Sequence, residues 1–216
     1  MSAFDWWPRR RRPSARLDEN RWVVVDVETS GLDPAQDALL AIAAIGVQVD
    51  WSARRMRILP GDSLELVVRP DAPSSRGNIL LHGIGVGRQM SGLEPVEAMR
   101  AWQRFAADSP LLAFHAAFDQ TILQRYCQHH LGAGLGNPWL DIEHLCAATH
   151  PEVSAKSLDD WMARLRIVCA VRHQAAADAW AECEVLQSLW PPLQKECRCW
   201  RDVVRLAERH RWLSRH

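Results

Sequence analysis

Val23-Val24-Val25-Asp26-Val27-Glu28-Thr29-Ser30-Gly31-Leu32-Asp33, residues 23–33, is the stretch that decides the fold. The β-branched apolar run from Trp22 to Val27 reads as a buried central strand. Residues two apart in a strand point the same way, so Asp26 and Glu28 share a face near the strand end. Two carboxylates so placed repel, and burial penalises both charges. Divalent cations remove that cost, because hard cations take oxygen ligands. An exposed strand end would remove it equally well, and the pair alone leaves both readings open.

Working outward, Ser30-Gly31-Leu32-Asp33-Pro34 breaks the strand. Ala38 to Val49 reads as a second strand, and Ser63 to Arg69, with Leu64, Leu66 and Val68 on one face, as a third. No helix intervenes, so these three form an antiparallel meander. Helical spacing then begins at Pro95 to Ala107, through Val96, Met99, Trp102 and Ala106. Leu111 to Phe114 is a short strand, Phe118 to His129 a helix, and Pro138 to Leu140 another short strand. Ser157 to Leu165 and Ala175 to Leu189 are further helices, the latter ended by Pro191-Pro192. The expected fold is α/β: a mixed sheet with helices on both faces.

Two more motifs carry acids. Asp119 opens a helix directly after a strand, where it could cap the helix or face a site at the strand ends. In His173-Gln174-Ala175-Ala176-Ala177-Asp178, residues five apart share no helical face. His173 is therefore placed in a loop and Asp178 in the first turns of the next helix. Beside a cluster of acids, His173 is a candidate general base, since imidazole titrates near neutral pH.

Three motifs, VVVDVETSGLD at 23–33, AFHAAFD at 113–119 and RHQAAAD at 172–178, resemble those of the DEDDh exonucleases. This is the DnaQ-like group that includes polymerase proofreading subunits. Secondary matches are LHGI at 81–84, WLD at 139–141 and SLDDW at 157–161, and the likeness covers roughly residues 20–190. The resemblance implies a ribonuclease H-like five-stranded mixed sheet flanked by helices. It implies two Mg²⁺ or Mn²⁺ ions held by Asp26, Glu28, Asp119 and Asp178, with His173 taking a proton from the attacking water. Thr29, Leu32, His115 and Phe118 would touch the terminal nucleotide. The implied reaction is 3′→5′ hydrolysis of a single strand to nucleoside 5′-monophosphates. Phe114-His115 replaces the His-Asn of many members, and Ala41 replaces a common glutamate.

Composition sets outer limits. The chain has 216 residues, 48% hydrophobic and 24% charged, as expected of a folded domain. Residues 1–19, with Trp6, Trp7 and Arg9 to Arg12, read as an extension, 20–194 as the exonuclease domain, and 195–216 as an amphipathic helix packed on it. Arg198, Arg201, Arg205 and Arg209 fall on one face of that helix. Lys and Arg balance Asp and Glu at 26 each, unlike proteins that coat nucleic acid. An enzyme gripping only a strand end has no such need. The six cysteines lack metal-site spacing and read as reduced thiols; Cys146 with His144 or His150 is a weak zinc alternative. No membrane span or signal segment is recognised, so a cytoplasmic protein is expected. The expected partner is single-stranded nucleic acid, DNA before RNA, either alone or beside a DNA polymerase; the oligomeric state is left open. An RNA-directed exonuclease is the nearest competitor, and an inactive nucleic-acid-binding adaptor the competitor of another class.

Overall fold

The computed structural model of the protein describes residues 17–213. Three long strands come first: β1 (Arg21–Thr29), β2 (Leu39–Asp50) and β3 (Arg55–Val67). Three helices follow: α1 (Arg76–His82), α2 (Val86–Met90) and α3 (Pro95–Ala106). Then come β4 (Leu111–Ala113), α4 (Ala117–Leu131), β5 (Trp139–Asp141), α5 (Ile142–Thr149), α6 (Leu158–Leu165), α7 (Ala175–Glu196) and α8 (Trp200–Leu213). The sheet order is β3-β2-β1-β4-β5. The first three strands are antiparallel neighbours, while β1–β4 and β4–β5 are parallel. This is the ribonuclease H-like mixed sheet that the motifs imply.

β1 is central because its side chains are apolar on both faces. Trp22 and Val24, with Ala43, Ile45 and Val47 of β2, pack against α5 to α8. Val23, Val25 and Val27 pack on the other face against α3 and α4. Small residues let α7 approach the sheet closely: Ala43 meets Ala175, Ala179 and Cys183 in one buried cluster. At the foot of β1, Trp22 lies edge-on to Trp200 at 5.1 Å and to Trp190 at 6.4 Å, so the ends of α7 and α8 dock on one ring.

The third strand is longer than its expected span of Ser63 to Arg69. Arg55 to Leu59 also pairs with β2, across an irregularity between Ile45 and Gly46. The carboxylate of Asp62 lies over Gly46, where any Cβ would collide with it. Asp62 is held there by Arg21, Nε to Oδ2 2.7 Å.

Pro191-Pro192 does not end the helix as expected, because α7 continues to Glu196. A helix proline costs about 3 kcal/mol or more. Leu189, Trp190 and Leu193 are buried around the pair, and each large apolar side chain so buried is worth ~1.5–3 kcal/mol. Trp190 Nε1 also donates to the Arg54 carbonyl at 3.1 Å. Tertiary packing thus offsets the local penalty. The Trp6, Trp7 and Arg9 to Arg12 cluster lies outside the described residues. No described helix is long and apolar enough to cross a membrane.

Candidate active site

The parallel strands create the site. β1 pairs with β4 only through Val23–Leu111 and Val24–Leu112, so Asp26 and Glu28 extend past the last paired residue. Sites in open α/β sheets form at such carboxyl ends. α4 starts four residues after β4 and presents Asp119 in its first turn. α7 presents Asp178 in its first turn, and His173 stands in the preceding loop with φ 62°.

Oxygens of Asp26, Glu28 and Asp178 lie within 4.8 Å of one another. Glu28 and Asp178 are buried, and Asp26 keeps some surface open to a cleft of about 320 Å³. That cleft is lined by Asp26, Glu28, Asp178 and His173, together with Phe114, His115, Asp159, Arg172 and Glu182. Its volume is at the small end of the range for ligand sites, about 300–1,000 Å³. Asp178 accepts the backbone N–H of His173 at 2.9 Å, which fixes the loop against the helix. Arg172 reaches Asp178 through Nη1 and Asp159 through Nε, the latter at 2.6 Å.

The other expected residues are placed as follows. Asp119 is buried beside the three acids, outside their close group but near enough to act on Asp26. His115 lies on the cleft rim with φ 59°, its Nε2 3.1 Å from the Lys156 carbonyl. Thr29, Leu32 and Phe118 do not line the cleft. The Thr29 hydroxyl donates to the Gly31 carbonyl at 2.6 Å, Leu32 is 93% exposed, and Phe118 packs with the α3–α4 side of the core. The helix expected from residue 195 starts instead at Trp200, which packs on Trp22 at the opposite end of β1 from these acids, and Arg198 lies before it, donating to the Gln194 carbonyl at the end of α7 at 2.8 Å.

The electrostatics are those of crowded buried acids. Burial, then the charges of Glu182, Asp119, Glu28 and Asp178, hold the Asp26 carboxyl well above the usual carboxylate range. Burial pushes Asp119 up to about 8, although its own and Val27's backbone N–H groups pull against that. One oxygen of Glu28, Oε1, is buried with no hydrogen-bond partner. An orphaned carboxylate oxygen beside two other acids suits a hard divalent cation, so the residues present fit such an ion. A second group, Asp141, Glu143 and His144, is equally compact. Its Asp141 is already engaged by the N–H groups of His115, Ala116 and Glu143 at 3.0, 3.1 and 2.9 Å.

A family profile described as exonuclease, RNase T, matches residues 23–186. The chain belongs to the RNase T exonuclease family. Within it, the chain is of the DnaQ-like DEDD type. It is 31% identical over 181 residues to a DNA polymerase III subunit epsilon-like protein of Rhodobacter capsulatus, a match that covers 82% of this chain and 25% of that protein. It is 27% identical over 180 residues to a PolC-type DNA polymerase III of Lacticaseibacillus paracasei, covering 81% of this chain and 12% of the polymerase. The chain thus spans a quarter or less of the length of these relatives. Among solved structures, E. coli exonuclease I in complex with a dA16 oligonucleotide superposes with a TM-score of 0.67 at 17% identity, over 82% of this chain and 43% of that one.

This member of the RNase T exonuclease family brings further residues to or beside the site that sequence reading did not single out. His82, at the end of α1, sets its Nδ1 against the Glu28 carboxylate. Glu182 of α7 is 2% exposed, and its Oε2 accepts the Phe114 N–H at 3.2 Å. Its spacing was legible, because a residue four beyond Asp178 shares that helix face. Asp141 had a signal too: an Asp before Ile142, Leu145 and Cys146 marks the start of a helix. His82 had only the LHGI match, since α1 buries no residue and shows no periodicity.

Proposed function

We propose that this exonuclease works 3′→5′ on single-stranded DNA ends, releasing nucleoside 5′-monophosphates with the help of two divalent cations, Mg²⁺ or Mn²⁺. The observation that carries the reading is the convergence of Asp26, Glu28 and Asp178 within 4.8 Å, beside His173. Asp26, Glu28 and Asp178 would hold the cations, with Asp119 close by. When bound, the ions would neutralise charge on the phosphate and lower the pKa of bound water. His173 accepts a proton from the attacking water, its loop held in register by the bond from its backbone to Asp178. His115, on the rim, and the exposed Leu32 contact the terminal nucleotide, while Thr29 and Phe118 support the segments that carry them.

DNA is preferred over RNA because the relatives are DNA polymerase III proteins and the matched exonuclease I holds a DNA oligonucleotide. The same relatives support a cytoplasmic enzyme that acts alone or beside a polymerase. The test uses matched 3′-labelled and 5′-labelled oligonucleotides of DNA and RNA, with Mg²⁺, Mn²⁺ or EDTA. The expected result is cation-dependent release of labelled mononucleotide from the 3′-labelled DNA. The 5′ label should remain on progressively shorter strands. Faster release from RNA would reassign the substrate, and no cation-dependent release from either would leave the adaptor reading.

A further inference from the structure

Among the described residues that line the cleft, Arg172 is the one arginine or lysine, set among the acids Asp26, Glu28, Asp159, Asp178 and Glu182. Its guanidinium spans two of them. Nε donates to Asp159 Oδ1 at 2.6 Å, on the first turn of α6, and Nη1 reaches Asp178 Oδ1, on the first turn of α7. Nη2 makes no hydrogen bond with the described residues.

The two partners are unlike. Asp159 is 63% exposed and stands outside the compact acid group, whereas Asp178 is one of the three acids within 4.8 Å. Asp178 is already crowded: Oδ2 accepts the His173 N–H at 2.9 Å, and Oδ1 accepts the Cys169 thiol at 3.6 Å besides Arg172. A cation that takes Oδ1 meets a guanidinium of its own sign on the same atom, and the two repel. The Asp178 arm is therefore the one that a cation releases, while the Asp159 arm stays. Residue 173 remains tied to Oδ2 through its backbone, so the change is a rotation of one side chain. A guanidinium freed in this way turns its fork of N–H groups, Nη1 beside Nη2, toward the open cleft. That fork matches the oxygens of a phosphate. Within the cation-dependent, strand-cleaving reading given above, we infer that Arg172 is a strand-binding residue with two successive partners: Asp178 before cations enter, and a phosphate of the bound single strand afterwards, with Asp159 as its anchor.

The experiment follows binding to the full chain by fluorescence anisotropy of a 5′-labelled DNA oligonucleotide, in Ca²⁺ and in EDTA, with the strand checked intact on a gel. A hydrogen bond to a charged group corresponds to about 10–100-fold in affinity. Arg172→Gln should therefore raise the oligonucleotide Kd about tenfold or more in Ca²⁺. In EDTA, where Asp178 holds the wild-type guanidinium, the two proteins should agree to within about a factor of two. The slope of log Kd against log salt in Ca²⁺ should fall by about 0.7, the share of one phosphate on a single strand. Arg172→Lys, the milder change, keeps the charge but not the fork. It should keep the salt slope, bind several-fold more weakly than wild type in Ca²⁺ and match it in EDTA. Without DNA, Mn²⁺ measured by electron paramagnetic resonance should bind Arg172→Gln at least as tightly as wild type, because a competitor for Asp178 is gone. Equal losses with and without Ca²⁺ in either variant, an unchanged salt slope in Arg172→Gln, or a raised Mn²⁺ Kd would each overturn the inference and leave Arg172 a counter-ion of the acids alone. If wild type binds the strand no better in Ca²⁺ than in EDTA, the cation-dependent reading of the site falls, and the role of Arg172 with it. If wild type gains from Ca²⁺ and Arg172→Gln gains as much, only the role of Arg172 falls.

Discussion

The imidazole of His82 lies against the buried carboxylate of Glu28, and so ties α1 across the end of β1. The tie is doubled by Asn78, whose Nδ2 donates to the Thr29 carbonyl at 2.7 Å. α1 buries no residue of its own, so these polar contacts hold it. His82→Ala is expected to destabilise the metal-free protein by about 1–3 kcal/mol, the cost of an unsatisfied buried polar group. Urea denaturation would measure this, and amide exchange should rise most in residues 76–82. Unchanged exchange there would show that other contacts hold the helix.

The acids should matter differently for activity and stability. Asp26→Asn and Asp178→Asn are expected to reduce cleavage to near the uncatalysed background while leaving the fold intact. In EDTA, Asp26→Asn should melt at or above the wild-type temperature, because a neutral amide has no proton to take up on folding, whereas burial and four neighbouring acids oppose an ionised Asp26. Thermal melts with and without Mg²⁺ check both points, and wild type should gain more from the cation than either variant.

His173→Ala is expected to slow cleavage by about 10²–10⁴-fold, the usual contribution of a general base. Mn²⁺ affinity should change little, since the Asp178 contact comes from the backbone of residue 173. Single-turnover rates across pH test the role: the variant should lose the ascending limb attributable to the base. A rate within a few-fold of wild type would remove His173 from the chemistry.

Stability should depend on pH in a cation-dependent way. Asp119 is pushed from 3.8 up to about 8 in the folded protein, and Asp26 and Glu182 shift in the same direction. Between those values the folded state keeps a proton that the unfolded state has released. This contribution is complete below the unfolded pKa and disappears as pH rises through about 8. In EDTA the urea midpoint should therefore fall between pH 5 and pH 8, with Mg²⁺ flattening the decline. A midpoint that rises over that range without cation would contradict the assignment.

Much of this arrangement was legible because it is local. The alternating valines of β1, the spacing of Asp26 and Glu28, and the loop-then-helix placement of His173 and Asp178 follow from periods of two and of 3.6 residues. Ser157 read as a helix start, and it forms a capping box with Asp160. Elements without a periodic apolar face escaped: α1 and α2 have almost no buried residues. α7 outran its prolines because the energy that holds its last turn comes from Trp190 and Leu193 packing in the core, not from local propensity.

Sequence alone indicated the opening three-strand meander, the central strand and a candidate set of four acids and one histidine, since each is written in a short window of residue types. Only the tertiary structure decided which side chains meet. It drew Asp26, Glu28 and Asp178 together, left Asp119 outside their close group, kept Leu32 in solvent, added His82 from a distant segment, and turned Arg172 and Glu182, neighbours of His173 and Asp178 in sequence, into the same cleft. The reason is physical: strand and helix periods set the direction of a side chain, but distances between elements depend on how the small residues of β2 and α7 let them pack.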